Sequence, residues 1–121
     1  MKNWVPAYHF DMRVSGERAG HIQLRIGDTE FLDCYAGYIG YTVAPAHRGH
    51  RFAARSVALL LPFARERGFE TIWITADPRN TASRRSLELA GAQLIEIVDL
   101  PTDCEMYALG DRQRCRYRID L

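Results

Sequence analysis

The sequence predicts a mixed α/β (α+β) fold: a single, mostly antiparallel sheet with a central parallel pair of strands and two helices. Three observations predict it. Two segments near the N-terminus alternate apolar and polar residues with the period of a half-buried strand. The pattern switches to helical spacing over residues 51–66. A short β-branched run, Thr71-Ile72-Trp73-Ile74-Thr75-Ala76, follows that helix and reads as a buried central strand. Strand, helix and strand in that order imply a parallel pair joined by a right-handed crossover.

The individual elements follow. Tyr8, Phe10, Met12 and Val14 share one face of the first strand, with His9, Asp11 and Arg13 on the other. Ser15 to Gly20 reads as a polar turn. Alternation resumes with Ile22, Leu24 and Ile26, which makes an antiparallel hairpin with one dry face. A third strand is expected from Tyr35 to Val43, and its Gly37 and Gly40 mark a bulge or the close approach of another backbone or a ligand. Pro45 ends it. The helix over 51–66 presents Ala53, Val57, Leu60, Leu61 and Ala64, and Gly68 stops it. After the 71–76 strand, Asn80 is a good N-cap for a second helix running to about Ala90, closed by Gly91. Residues 93–98 form a further strand. The tail alternates Cys115, Tyr117, Ile119 and Leu121 with Arg114, Arg116 and Arg118, and reads as an edge strand guarded by charge.

Bulk properties limit the function. At 121 residues a single domain over 1–121 is expected, with 47% hydrophobic and 26% charged residues, as in a globular chain. A net charge of +1 offers no electrostatic case for nucleic acid or a membrane surface. No signal peptide is visible and no apolar run approaches the roughly 20 residues of a membrane span, so a cytoplasmic location is the default. Cys34, Cys104 and Cys115 are odd in number and widely spaced, which fits reduced thiols rather than a disulfide framework or zinc.

The stretch that carries chemistry is Tyr41-Thr42-Val43-Ala44-Pro45-Ala46-His47-Arg48-Gly49-His50-Arg51-Phe52-Ala53, where a strand ends, a basic loop follows and a helix begins. The first turn of a helix leaves backbone N–H groups unpaired and carries partial positive charge, which suits a phosphate. Arg48, Arg51 and Arg55 add full charges, and Gly49 lets a ligand approach the backbone. An ordinary strand–helix connection with solvated arginines would look the same on this pattern alone.

The segment resembles the acetyl-CoA signature of the GNAT N-acetyltransferase superfamily, roughly Gln/Arg-x-x-Gly-x-Gly/Ala, with Arg48 at the first position and Ala53 at the last. Arg51 stands where glycine is usual; with a negative φ its side chain would fit and add a cation beside the phosphates. A second match is Asn80 opening the next helix, with small residues after it and a closing Gly91. The resemblance covers residues 35–98 and implies a sheet whose two central strands splay to admit a pantetheine arm. It implies that the backbone of Thr42 and Val43 pairs with the pantetheine amides, and that the amides of Gly49, His50, Arg51, Phe52 and Ala53 hold the pyrophosphate. It also implies that Asn80 binds the pantetheine and that Ser83 sits near the thioester sulfur.

The tyrosine that many members use as general acid falls on Leu87, which cannot donate a proton. The pattern is similar to the branch that acetylates ribosomal proteins and other N-terminal amines, where a serine matching Ser83 has that role. Ser83 is therefore the candidate acid, beside a plain capping role at N3. The usual glutamate base falls at Tyr38; Glu30, Asp33, His9 and Asp11 are the nearby groups that could act through water. Only Met1 to Pro6 precedes the hairpin, where the family has a strand and two helices. The acceptor side is expected to be missing, open, or completed by a second subunit of a homodimer. The resemblance implies acetyl transfer from acetyl-CoA to an amine, on a small molecule or a protein. A non-catalytic acyl-CoA-binding module and an interaction protein without CoA are the other readings.

Overall fold

The chain begins as a hairpin in the computed structural model, which describes residues 6–27 and 32–121 without the side chains at 33 and 34. Glu30 and the side chains of Asp33 and Cys34 lie outside the described residues. Strand β1 (Ala7–Val14) pairs antiparallel with β2 (Glu17–Arg25). Ser15 and Gly16 both have positive φ, 51° and 84°, as a two-residue hairpin turn matching the strand twist requires. Two residues suffice, so the expected turn over Ser15 to Gly20 is shorter, and Gly20 lies inside β2. A Cβ at Gly20 would come within 2.2 Å of the Thr42 carbonyl oxygen, so glycine here allows close approach of the next strand.

That strand, β3 (Ile39–Val43), pairs antiparallel with β2. It is shorter than the expected Tyr35–Val43. Leu32–Ala36 form one π-helical turn instead, and Gly37 follows at φ 72°. The backbone crosses a neighbour here, as the glycine implied. A Cβ on Gly37 would lie 2.9 Å from the Thr75 nitrogen and 3.1 Å from the Ile74 Cα.

Helix α1 (Phe52–Glu66) buries Ala53, Ala54, Val57, Leu60 and Ala64. Of these, Val57, Leu60 and Ala64 join Met12, Ile22, Leu24 and Ile39, from the dry face of the first three strands, in one core. The second half runs β4 (Thr71–Ala76), α2 (Thr81–Leu89), β5 (Gln93–Asp99), a short α3 (Glu105–Ala108) and β6 (Gln113–Asp120). Its strand order is β4-β6-β5. The tail strand β6, expected at an edge, therefore lies in the middle, and β5 takes the edge. Alternation reveals which side chains share a face, not which strands flank it. The arginines of β6 cover the outer face rather than guard an edge: Arg116 pairs with Glu96 and stands 4.0 Å over the Trp73 ring, and Arg118 Nε is 3.3 Å from Asp120. Opposite them, Cys115, Tyr117 and Ile119 are buried with Ile72, Ile74 and Leu87.

The two three-stranded halves meet where the Tyr38 N–H donates to the Trp73 carbonyl at 2.8 Å. Past that bond no ladder joins β3 to β4 among the described residues, and the central pair splays. The result is the mixed α+β architecture expected, but in two three-stranded antiparallel sheets rather than the single sheet expected, because the splay breaks the ladder between β3 and β4; α3 is the α-helix that the periodicity does not reveal. No helix among the described residues is long and apolar enough to cross a membrane.

Candidate functional site

A cleft of about 460 Å³ opens between the end of β3, the start of α1 and the first turns of α2. That volume is in the range of small-molecule sites. Its walls include Thr42, Val43, Arg48, Gly49, Arg51 and Phe52. Ala53, Asn80 and Ser83 complete this set of residues singled out in the sequence, drawn from two segments about 30 positions apart and brought to one groove. His50 is not on the wall; its ring sits 5.4 Å from Phe52. His47, from the 3-10 turn Pro45–His47, lines the cleft instead, with Nε2 3.5 Å from Glu17.

The start of α1 is built as an anion site. The first helical bond runs from Arg55 N–H to the Arg51 carbonyl at 3.0 Å, so the amides of Phe52, Ala53 and Ala54 have no partner within the helix. No side chain caps them and no acidic residue sits in the first turn. Gly49, at φ 89°, has nothing within 4 Å of where a Cβ would stand, which leaves its backbone open to a ligand. Arg48 folds back, its Nε donating to the Val43 carbonyl at 3.1 Å.

Arg51 corrects an expectation. Its φ is 62° and ψ 24°, the left-handed region, not the negative φ that would accommodate its side chain. This is the conformation that the usual glycine adopts freely, and a non-glycine residue there carries about 1–2 kcal/mol of strain. Arg51→Gly is expected to stabilise the fold by about 0.5–1 kcal/mol, net of glycine's greater unfolded-state entropy, as a higher urea midpoint at unchanged slope. A lower midpoint would show that the arginine's contacts outweigh the strain.

The strand edge also needs a correction. Ala44 N–H donates to Ala19 O and Arg25 N–H to Tyr38 O. In an antiparallel ladder the hydrogen-bonded pairs alternate, so Thr42, opposite His21, directs its N–H and C=O to β2. The closeness of the Thr42 oxygen to Gly20 agrees. The edge turned to the cleft therefore belongs to Tyr41 and Val43, not to Thr42 and Val43, and the Val43 carbonyl there already accepts from Arg48 Nε.

Helix α2 brings Asn80 and Ser83 to the cleft. Asn80 caps it, its Oδ1 accepting from Ser83 N–H at 3.0 Å, as its residue type predicts. The turn before the cap is set by Asp77, whose Oδ1 accepts from Arg79 N–H at 2.9 Å. The Arg79 guanidinium holds the Asp77 carboxyl well below the usual carboxylate range. Fully buried Leu87 seats the helix on the sheet, contributing on the order of 2 kcal/mol. On the same helix, Glu88 accepts from the buried Tyr117 hydroxyl at 2.9 Å, and Arg84 donates to it at 3.1 Å.

Sequence reasoning missed Tyr41. Its hydroxyl lies 2.9 Å from Ser83 Oγ and also donates to the Ser83 carbonyl at 3.3 Å. Burial pushes the phenol's pKa above its ordinary value, against the opposite pull of the Ser83 hydrogen bond. Alternation within β3 places Tyr41 on the dry face, but the pairing spans 42 residues and leaves no local signal. Tyr38, at the place of the usual base, is buried in the core; of the expected bases that are described, His9 Nδ1 is 3.0 Å from His21 Nε2 and Asp11 is ion-paired with Arg18 at 3.0 Å. None of these lines the cleft.

A model of the acetyltransferase (GNAT) family matches residues 1–91. No curated protein matches the chain in sequence. Among solved structures, the chain is similar to the microcin C7 self-immunity acetyltransferase MccE, solved with acetyl-CoA and AMP. That match has 16% identity and a TM-score of 0.75, over 95% of this chain and 61% of that one. It is similar to RimL, a ribosomal L7/L12 α-N-protein acetyltransferase solved with coenzyme A, at 19% identity and TM-score 0.74, over 95% and 62%. Mycobacterium smegmatis RimJ, solved with a CoA disulfide, matches at 23% identity and TM-score 0.72, over 94% and 53%. The likenesses establish the fold, and the chain spans from about half to three fifths of these neighbours' lengths.

Proposed function

We propose that this chain, which belongs to the acetyltransferase (GNAT) family, transfers an acetyl group from acetyl-CoA to an amine on a small molecule or a protein. The observation that carries the reading is the cleft, which sets a strand edge, an uncapped helix start and the Asn80–Ser83 turn around one volume. The uncapped amides at the start of α1, with Gly49, Arg48 and Arg51 beside them, are placed to hold a pyrophosphate. The edge groups of Tyr41 and Val43 are placed to pair with pantetheine amides as an added strand would, with Asn80 contacting the arm.

In this reading a neutral amine attacks the thioester carbonyl carbon, the C–N bond forms and the C–S bond breaks. The amine's proton passes to water. Ser83 Oγ–H protonates the departing thiolate, the Tyr41 hydroxyl at 2.9 Å reprotonates Ser83, and Tyr41 takes its proton back from the water that received the amine's. The free, buried thiols of Cys104 and Cys115 accord with a reducing cytoplasm, where we place the chain. A second subunit of a homodimer is one way to complete the acceptor side.

One observation favours a non-catalytic acyl-CoA-binding module: no carboxylate among the described residues lines the cleft, and the histidine on its wall, His47, is turned to Glu17 at 3.5 Å. Two measurements separate the readings. Acetyl-CoA at 100 times its Kd is expected to stabilise the fold by about 2.7 kcal/mol in both. Release of free thiol over a panel of amines and N-terminal peptides is expected only of the enzyme, and stabilisation without release would select the binding module.

A further inference from the structure

The sheet face turned away from α1 and α2 carries two guanidinium groups at the closed end of the splay. Gly40 and Thr42 alternate with Ile39 and Tyr41, and Arg114 alternates with buried Cys115, so this face is opposite the helices. Arg25 lies over Gly40; a Cβ there would come within 2.7 Å of its Nη2. Arg25 Nη1 donates to the carbonyls of Ala36 at 3.2 Å and Gly37 at 3.0 Å. Arg114 donates through Nε and Nη2 to Thr75 Oγ1, at 3.3 and 3.1 Å, and that hydroxyl donates to the Tyr35 carbonyl at 2.7 Å. Both side chains thus hang on the turn at 35–37, where the two halves of the sheet meet.

Neither guanidinium has a carboxylate within ion-pair distance among the described residues. Asp77 and Asp111 act on Arg114 only through space, and both are bonded to Arg79. Burial lowers the pKa of both guanidiniums, and the charge of Arg114 lowers that of Arg25 further. Two half-buried cations with no anion beside them among the described residues are unfavourable unless something answers their charge. Their Nη2 and Nη1 groups, at Gly40 and beyond Thr75, keep N–H bonds that nothing on the described chain takes up.

We propose that Arg25 and Arg114 together receive a carboxylate carried by the acceptor, so that the acceptor is an amine with an acid group close to it. The acceptor assignment rests on the acetyl-transfer reading. Helix α2 and the cofactor cleft occupy one side of the splayed strands, which leaves the opposite face for the incoming amine. A carboxylate there meets two planar donor forks, the geometry that guanidinium groups bind best. Glycine at position 40 leaves the room that a side chain would fill.

The test uses a pair of product-like probes that differ in charge alone, N-acetylglycine and N-acetylglycinamide. Each is titrated at constant ionic strength, with and without saturating CoA, while the arginine Nε–H signals are followed by NMR. The acid is expected to shift the Arg25 and Arg114 signals saturably and the amide is not. Arg114→Gln, which keeps a donor to Thr75, is expected to weaken acid binding at least tenfold. Equal shifts from both probes, no shift from either, or undiminished binding of the acid to Arg114→Gln would each overturn the proposal. The titration needs no turnover. A protein that binds the acid but releases no thiol from acetyl-CoA would fault acetyl transfer and leave the carboxylate site standing.

Discussion

Gly37→Ala is expected to destabilise the fold by about 3 kcal/mol or more, lowering Tm by roughly 10 °C. Two effects add. The residue holds φ 72°, where an alanine pays left-handed strain of about 1–2 kcal/mol. Its new Cβ would also press on backbone, 2.9 Å from the Thr75 nitrogen and 3.2 Å from the Trp73 carbonyl, and strand backbone has little room to retreat. Gly16→Ala is the matched control, with φ 84° and nothing within 4 Å of the added carbon. It is expected to cost only the strain. Equal losses from the two substitutions would mean that the chain does not cross β4 closely at residue 37. Because Gly37 adjoins the Tyr38–Trp73 hydrogen bond that closes the splay, the Gly37 variant is also expected to bind acetyl-CoA poorly where it still folds.

Ser83→Ala is expected to lower kcat roughly 100-fold or more, the contribution typical of a positioned acid, while acetyl-CoA binding changes little. The Asn80 cap uses the Ser83 backbone N–H, not its hydroxyl, so the helix start survives the substitution. Tyr41→Phe is the companion variant. It removes the group 2.9 Å from Ser83 Oγ, and a smaller fall in kcat is expected if water can reprotonate the serine in its place. An unchanged kcat in Ser83→Ala, with chemistry shown to be rate-limiting, would remove the serine from the mechanism and leave it as part of the helix turn.

Much of the cleft's lining was legible from the sequence together with the family resemblance. Arg48, Gly49, Arg51, Phe52, Ala53, Asn80 and Ser83 line one cleft because strand, helix, strand and helix follow in an order that brings consecutive helix starts to the same end of a sheet. Local rules also served where the physics is local: the Asn80 cap, the α1 stripe and the close approach at Gly37. What escaped was set by long-range pairing. The Tyr41–Ser83 contact joins a residue of β3 to one of helix α2, 42 positions apart. The central place of β6 depends on which strand it meets, and an alternating strand reads the same at an edge or in the middle when arginine stems cover its outer face. The backbone phase at Thr42 depends on its register with His21, which alternation cannot supply. The left-handed Arg51 departs from residue preference, since nothing in an arginine's chemistry announces a positive φ.

The cleft between β3, α1 and α2 is proposed as an acetyl-CoA site. Calorimetric titration of acetyl-CoA tests it most directly, on the native chain and on a variant carrying both Arg48→Ala and Asn80→Ala. Saturable one-to-one binding to the native chain, weakened at least tenfold in the double variant while its melting shows it folded, is the predicted result. No binding to the native chain, or equal affinity in the folded double variant, would contradict the claim.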